Sequence, residues 1–264
     1  MTHSNYHTHH RLCRHAKGTT IDYVQKAIDL GFKTLGMSDH VPSDLLPDTM
    51  RMDASELDAY IEDVRAVQKA HQDTIKVYLG MECEFLDPNP AYYERFLSRV
   101  DYLILGQHYV KEAAGYQSAF ALSTDAQILE YGKTVETAIE SGYFSMVAHP
   151  DLYMCGIDAF NEAAKDTAHR IIKSAVEHDI PLEFNANGIR RGIKETSQGM
   201  RYPYPRMEFW EIAKTYPVDV MLSSDAHHPN KLYDDAMKEA EQMIEQFGLK
   251  RIHTLKMKHL KNRL

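Results

Sequence analysis

The chain predicts an α/β fold in which a parallel sheet is closed, or nearly closed, by helices. Three observations carry this. Seven short apolar runs of strand length recur along the sequence, the stretches between them space their apolar residues as helices do, and no strand-only or helix-only block interrupts the alternation.

The first run covers residues 4–7. Ile21, Val24, Ile28 and Leu30 follow at helical spacing, with Thr20 as the N-cap and Gly31 closing the helix. The second run, 34–38, precedes a helix carrying Leu57, Ile61, Val64 and Val67, capped by Asp53 or Ser55. Runs at 77–85 and 102–106 come next, then a helix over 128–139. The run 144–148 leads into a helix at 160–176, 182–185 into one at 207–213, and 218–223 into one at 236–247. No Ser/Gly/Pro-rich linker or low-complexity tract divides the chain, so residues 1–264 read as one domain. A doubly wound open sheet is the alternative, but no glycine-rich nucleotide loop follows the first run.

Composition narrows the function. With 44% hydrophobic and 26% charged residues the chain has the make-up of a soluble globular protein, and its net charge of −8 offers no basic surface to long nucleic acid. No N-terminal run has the form of a signal peptide and none approaches a membrane span. Cys13, Cys83 and Cys155 form neither a disulfide framework nor a CxxC zinc pattern, so free thiols in a reducing cytoplasm are expected.

The chain has fifteen histidines, and their positions are informative. His7 and His9 end the first run, Asp39–His40 the second, Glu82 and Glu84 the third, His108 the fourth, His149 the fifth, and Asp225 with His227 the seventh. In a parallel barrel all strand carboxyl ends converge on the face that holds the active site. Residues two apart on a strand share a face, so His7 and His9 point one way while Tyr6 and Thr8 point the other. Likewise Glu82 and Glu84 share a face, with Met81, Cys83 and Phe85 turned toward the helices. Mixed imidazole and carboxylate suit zinc, iron or manganese. Nine inward residues, His7, His9, His15, His40, Glu82, His108, His149, Asp225 and His227, are too many for one ion and match two or three.

This order of residues resembles the PHP (polymerase and histidinol phosphatase) superfamily: HxH after the first strand, His15 a few residues on, the DH of the second, the GxE of the third, the later single histidines and the final DxH. The resemblance runs from His7 to His227. It implies a distorted (β/α)7 barrel with a trinuclear site. It would give His7, His9, Glu82 and Asp225 to a first ion, Glu82 with His108 and His149 to a second, and His15, His40 and His227 to a third. Glu84 shares the face of Glu82 and is the alternative bridge; the GxE pattern favours Glu82.

Within the superfamily the chain looks most like the histidinol-phosphate phosphatases, through AHPDL (148–152), EFNANGIRRG (183–192) and YPYP (202–205). The implied activity is hydrolysis of L-histidinol phosphate by a hydroxide shared between two ions, with Glu82, His108, His149, Asp225 and His227 carrying the catalysis. Arg190 or Arg191 is a candidate phosphate clamp, and Glu183 and Asn185, with Glu84, are candidate partners for the ammonium and imidazole. Two other readings stand beside it: a PHP phosphoesterase with a different substrate (nucleotide phosphodiesterase, phosphotyrosine phosphatase or nuclease), and a non-catalytic metal-stabilised module. Cys13 is read as a packed thiol rather than a soft-metal ligand. His71, His169, His178, His253 and His259 are read as ordinary hydrogen-bonding histidines, and His3, His10 and His228 as supporting or solvated ones. The basic tail from Lys256 is read as a solvated terminus.

Overall fold

The computed structural model describes residues 4–46, 49–86 and 89–258; His3, His259 and the last residues of the tail lie outside them. Its main sheet has eight strands: β1 (Ser4–Asn5), β2 (Thr34–Met37), β3 (Lys76–Cys83), β4 (Tyr102–Leu105), β5 (Met146–Val147), β6 (Leu182–Asn185), β7 (Asp219–Ser223) and β8 (Lys250–Ile252). They lie side by side in chain order and every pair is parallel. The first seven are the expected strands. The eighth was not expected: it pairs with the lower half of β7. Above it, a single parallel bridge from Thr8 to Ala226 joins the continuation of β1 to that of β7. At the lower end Ser4 Oγ donates to His253 O. The sheet therefore curls round until its two edges meet, giving the distorted barrel.

The helices are α1 (Thr20–Asp29), α2 (Leu57–Ala70), α3 (Pro90–Leu97), α4 (Asp125–Ser141), α5 (Glu162–Glu177), α6 (Asn187–Arg190), α7 (Met207–Ala213) and α8 (Asp235–Phe247). Local chemistry fixes their ends. The cap of α1 is Thr19, one residue before the expected Thr20, because Asp22 closes a capping box with it, accepting from its N–H and hydroxyl at 2.7 Å each. Asp53 caps a 3-10 turn that runs into α2. Thr124 with Gln127 opens α4, and left-handed Gly142 and Gly248 close α4 and α8. Helix α3 was not expected from its apolar spacing, although Asn89 as cap and Pro90 in its first turn are a start signal.

Most of the core lies between sheet and helices, where Leu79, Met81 and Cys83 of β3 and Leu103 and Leu105 of β4 point. The alternate residues face into the barrel. Its lower half is filled by Tyr6, Tyr102, Ile104, Met146 and Met221. Tyr102 crosses the barrel, donating from Oη to Tyr6 O at 2.7 Å, and it fits because β3 carries glycine there: a Cβ on Gly80 would lie 2.2 Å from its ring. Tyr6 corrects one expectation. Regular pairing of β1 ends at Asn5, so strict alternation does not reach Tyr6, whose ring packs inside the barrel with Tyr102. The upper half of the barrel is left to polar side chains.

Candidate metal centre

Each predicted ligand lies at or beyond the carboxyl end of its strand, and their donor atoms converge. His7 Nε2 lies 2.9 Å from His9 Nε2, 3.3 Å from Glu82 Oε2 and 3.6 Å from Asp225 Oδ1. His9 Nε2 is 3.3 Å from the same two carboxylate atoms. The other oxygen of Glu82 faces His149 Nε2 at 2.9 Å and His108 Nε2 at 3.6 Å. His15 Nε2 and His227 Nε2 face each other at 2.9 Å. His40 joins two clusters, one with His15 and His227 and one with Glu82 and His108, and its Nδ1 is 3.1 Å from Glu82 Oε2. Glu82 is thus the carboxylate that touches both sides of the cluster.

Glu84 points the same way but is occupied. The buried guanidinium of Arg51 binds both its oxygens, at 3.0 and 3.2 Å, and its Oε1 accepts from His108 Nδ1 at 3.0 Å. Gly106 of the β4 end makes room for Glu82: a Cβ there would lie 1.9 Å from Glu82 Oε1. His149 (φ 29°) and Asp225 (φ 45°) both hold left-handed backbone, which costs a non-glycine residue about 1–3 kcal/mol. The surrounding structure sustains that strain at two strand ends, where it turns both side chains into the cluster.

The far nitrogen of most rings is held by an acceptor. His7 Nδ1 donates to Glu183 Oε1 at 2.8 Å, His15 Nδ1 to Cys13 O at 2.7 Å, and His227 Nδ1 to Asp225 O at 3.1 Å. His9 Nδ1 approaches Asp39 Oδ1 at 3.4 Å, while His10 Nδ1 bonds Asp39 Oδ2 at 2.5 Å. A carbonyl can only accept, so His15 and His227 carry their protons on Nδ1 and present bare Nε2 lone pairs to each other at 2.9 Å. Two lone pairs at that distance repel unless a cation lies against them, and a ring fixed by an outer hydrogen bond is the usual arrangement of a metal-binding histidine. Asp225 Oδ1 and His40 Nδ1, both buried, have no hydrogen-bond partner. The donor set therefore fits divalent metal ions.

Electrostatics agree. Burial, then the neighbouring His9, lowers His227 to about 3, and burial also lowers His15 and His40, keeping these rings neutral. Burial opposes protonation of His9 as well, but hydrogen bonds to Asp225 and Asp39 and the charge of Glu82 raise it to about 9. His7 is raised too: Glu183, Asp225 and Glu82 together outweigh its burial. Burial alone would raise Glu82 and Asp225, yet the surrounding histidines, His7 foremost, hold both carboxylates well below their usual range.

The cluster floors a cavity of about 460 Å³, whose walls include Met50, Arg51, Tyr109, Ser118, Phe120, Asn187, Arg191 and Tyr204. Of the five residues expected to meet a substrate, only Arg191 is on this wall. Its guanidinium carbon is 4.8 Å from the Phe120 ring centre, and its Nε donates to Tyr204 Oη at 3.0 Å. Arg190 points elsewhere. It binds Asp234 through Nε and Nη2, at 2.9 and 3.0 Å, and the carbonyls of Ser224 and Lys231, tying α6 to the segment before α8. Glu183 and Asn185 are buried behind the histidines. Glu183 accepts from His7, from His149 N–H at 2.9 Å and from Asn185 Nδ2 at 2.8 Å, while Asn185 and Asn187 both donate to Asp225 Oδ2.

Nothing in the sequence pattern singles out Arg51, Phe120 or Tyr109 as wall residues, whereas Tyr204 belongs to the YPYP segment. Tyr109 and Ser118 come from a hairpin (Tyr109–Glu112 with Gly115–Ser118) inserted after β4, marked only by Gly115 at its turn. A second hairpin (Lys194–Thr196 with Gly199–Arg201) follows α6. Cys13 groups with His9 and His227, but burial, helped by Asp39, pushes its thiol up, consistent with a packed thiol.

A parallel barrel whose strand ends turn nine histidine and carboxylate side chains toward one another has groups that could hold metal ions. Residues 5–187 match the PHP domain, and the chain belongs to that family. A protein of Deinococcus radiodurans named probable histidinol-phosphatase is 29% identical over 246 residues, spanning 88% of this chain and 90% of its own length. One of the same name in Schizosaccharomyces pombe is 23% identical over 254 residues, spanning 86% and 81%. The fold matches that of a Lactococcus lactis histidinol phosphate phosphatase complexed with zinc, L-histidinol and phosphate, with a TM-score of 0.72 at 14% identity, covering 96% of this chain and 98% of that one. No described helix is long and apolar enough to cross a membrane.

Proposed function

We propose that this chain is a histidinol-phosphatase, hydrolysing L-histidinol phosphate to L-histidinol and phosphate with two to three zinc, manganese or iron ions, as a single cytoplasmic domain. The observation that carries the proposal is the inward-facing set of nine candidate ligands, with the outer nitrogens of most of their rings fixed, in a chain related along most of its length to named histidinol-phosphatases. His7, His9, Glu82 and Asp225 hold the first ion, Glu82, His108 and His149 the second, and His15, His40 and His227 the third. Bound ions supply Lewis-acid activation of phosphate and water.

The protein's own groups do the rest. Glu183, Asp39, Glu84 and the carbonyls of Cys13 and Asp225 keep their rings in the tautomer that leaves Nε2 free. Arg191, held by Tyr204 and stacked on Phe120, offers its terminal nitrogens to the phosphate as a two-point clamp. The aromatic wall of Phe120, Tyr109 and Tyr204 covers the organic part of the substrate and excludes water.

The test is phosphate release by the metal-supplemented protein from L-histidinol phosphate, p-nitrophenyl phosphate, AMP and bis-p-nitrophenyl phosphate. A preference of about a thousandfold in kcat/KM for histidinol phosphate, roughly 4 kcal/mol of selective transition-state binding, is the expected result. Comparable slow rates on all four would keep the hydrolase and withdraw this substrate.

A further inference from the structure

We infer that Arg51 is a positioning residue for the ion held by His108. It stands on the loop between β2 and α2, and nothing in the ligand pattern marks it. Its side chain is only 6% exposed although it carries a full charge, and an arginine is buried at that level when it is paired. The pair is Glu84: Nη2 meets Oε1 at 3.0 Å and Nη1 meets Oε2 at 3.2 Å, a fork against a carboxylate, with Nη1 also donating to Val41 O at 3.2 Å. Glu84 in turn takes the His108 Nδ1 proton at 3.0 Å, and His108 Nε2 then faces Glu82 Oε1. One guanidinium therefore fixes the rotation of one carboxylate, which fixes the tautomer and plane of one ligand ring.

The chain of contacts reaches a single ion. His7, His9, His15 and His227 are held through Glu183, Asp39 and backbone carbonyls, a separate set of supports from the Arg51–Glu84 pair. Without Arg51, Glu84 would be a buried carboxylate facing only an imidazole, free to rotate or draw in water. Lysine restores the charge but not the fork. An amide at position 84 needs no counter-charge and still accepts from Nδ1. The effect of removing Arg51 is thus selective, partly rescued by lysine and relieved by Glu84→Gln.

The inference rests on the proposed assignment of His108 as a ligand, and its test needs no substrate. Metal-free protein is titrated with Co²⁺ against a chromophoric chelator, following the visible absorption of each equivalent bound. Arg51→Met is expected to weaken one Co²⁺ equivalent by about 10–100-fold, the usual cost of losing an outer partner of a ligand, with the others unchanged. Arg51→Lys should lose less, and Arg51→Met with Glu84→Gln should bind that equivalent more tightly than Arg51→Met alone. Affinities within about threefold of the parent for every equivalent in Arg51→Met, or equal weakening of all of them in Arg51→Lys, would overturn the inference. Should Arg51→Met fail to fold, Arg51→Lys decides: no selective weakening there overturns it as well. A parent protein that binds Co²⁺ fully but leaves histidinol phosphate intact would defeat the proposed function and leave this inference standing.

Discussion

Glu183→Gln is the most searching substitution in the centre, because it changes no volume and forces a choice. Glu183 is fully buried and accepts three hydrogen bonds, from His7 Nδ1 on one oxygen and from His149 N–H and Asn185 Nδ2 on the other. Glutamine has one oxygen to offer. If that oxygen faces His149 and Asn185, the amide N–H₂ faces His7 Nδ1, moves the ring proton to Nε2, and covers the lone pair that points at His9, Glu82 and Asp225. If it faces His7, the buried His149 N–H loses its acceptor, at a cost of about 1–3 kcal/mol. Asn185 cannot flip to help, since its Nδ2 also serves Asp225 and its Oδ1 accepts from Asn187 N–H.

The first arrangement keeps the fold's hydrogen bonds, so it is the one expected. The metal-free variant should then unfold within about 1 kcal/mol of the parent. Its metal affinity should fall by about 10–100-fold, or about 1.4–2.7 kcal/mol. Chelator-competition titration measures the affinity and denaturant unfolding of the metal-free protein measures the stability. Affinity for every equivalent within about twofold of the parent would refute the reasoning, because His7 would then not bind through an Nε2 freed by Glu183.

Arg191→Met should raise KM for the phosphate ester by about tenfold or more with little loss of stability, whereas Arg190→Met should leave KM unchanged and lower the unfolding free energy by about 1–3 kcal/mol; steady-state kinetics and denaturant unfolding separate the two. Gly106→Ala should abolish the tightest metal binding while the protein stays folded, since its Cβ would displace Glu82 Oε1; metal analysis after gel filtration reads this out. Metal uptake should release protons, because the carboxylates around His7 and His9 raise the proton affinity of both rings above the usual histidine range in the metal-free protein. Apparent affinity should therefore rise by about tenfold per pH unit for each proton displaced as pH rises toward about 9, then level off for His9; calorimetry in buffers of different ionisation enthalpy gives the proton count. In the metal-free protein the raised pKa of His9 adds stability that is present below its unfolded value near 6.5 and lost as pH rises through about 9. The lowered pKa of His227 acts oppositely: stability is lost as pH falls from about 6.5 toward 3, which acid unfolding of the chelator-treated protein should show.

Where the chain's own geometry decides, the sequence is enough. Residues two apart on a strand share a face, so spacing alone places Glu82 and Glu84 inward, and Met81 and Cys83 outward. Parallel strands joined by helices bring their carboxyl ends together, which is why nine candidate ligands scattered from His7 to His227 can be named as one set. Choices between equivalent neighbours are not legible, because a distant residue makes them. Glu82 rather than Glu84 spans the cluster because Arg51, 33 residues before Glu84, has taken Glu84. Arg191 rather than Arg190 faces the cavity because successive residues on a helical turn diverge by roughly 100°, and only Asp234, far along the chain, shows which of the two is turned away. Glu183 and Asn185 lie at a strand end like ligands, but the histidines in front of them make them supports. The periodicity of the chain fixes which face a side chain is on; what stands between it and the solvent is decided only when the barrel closes.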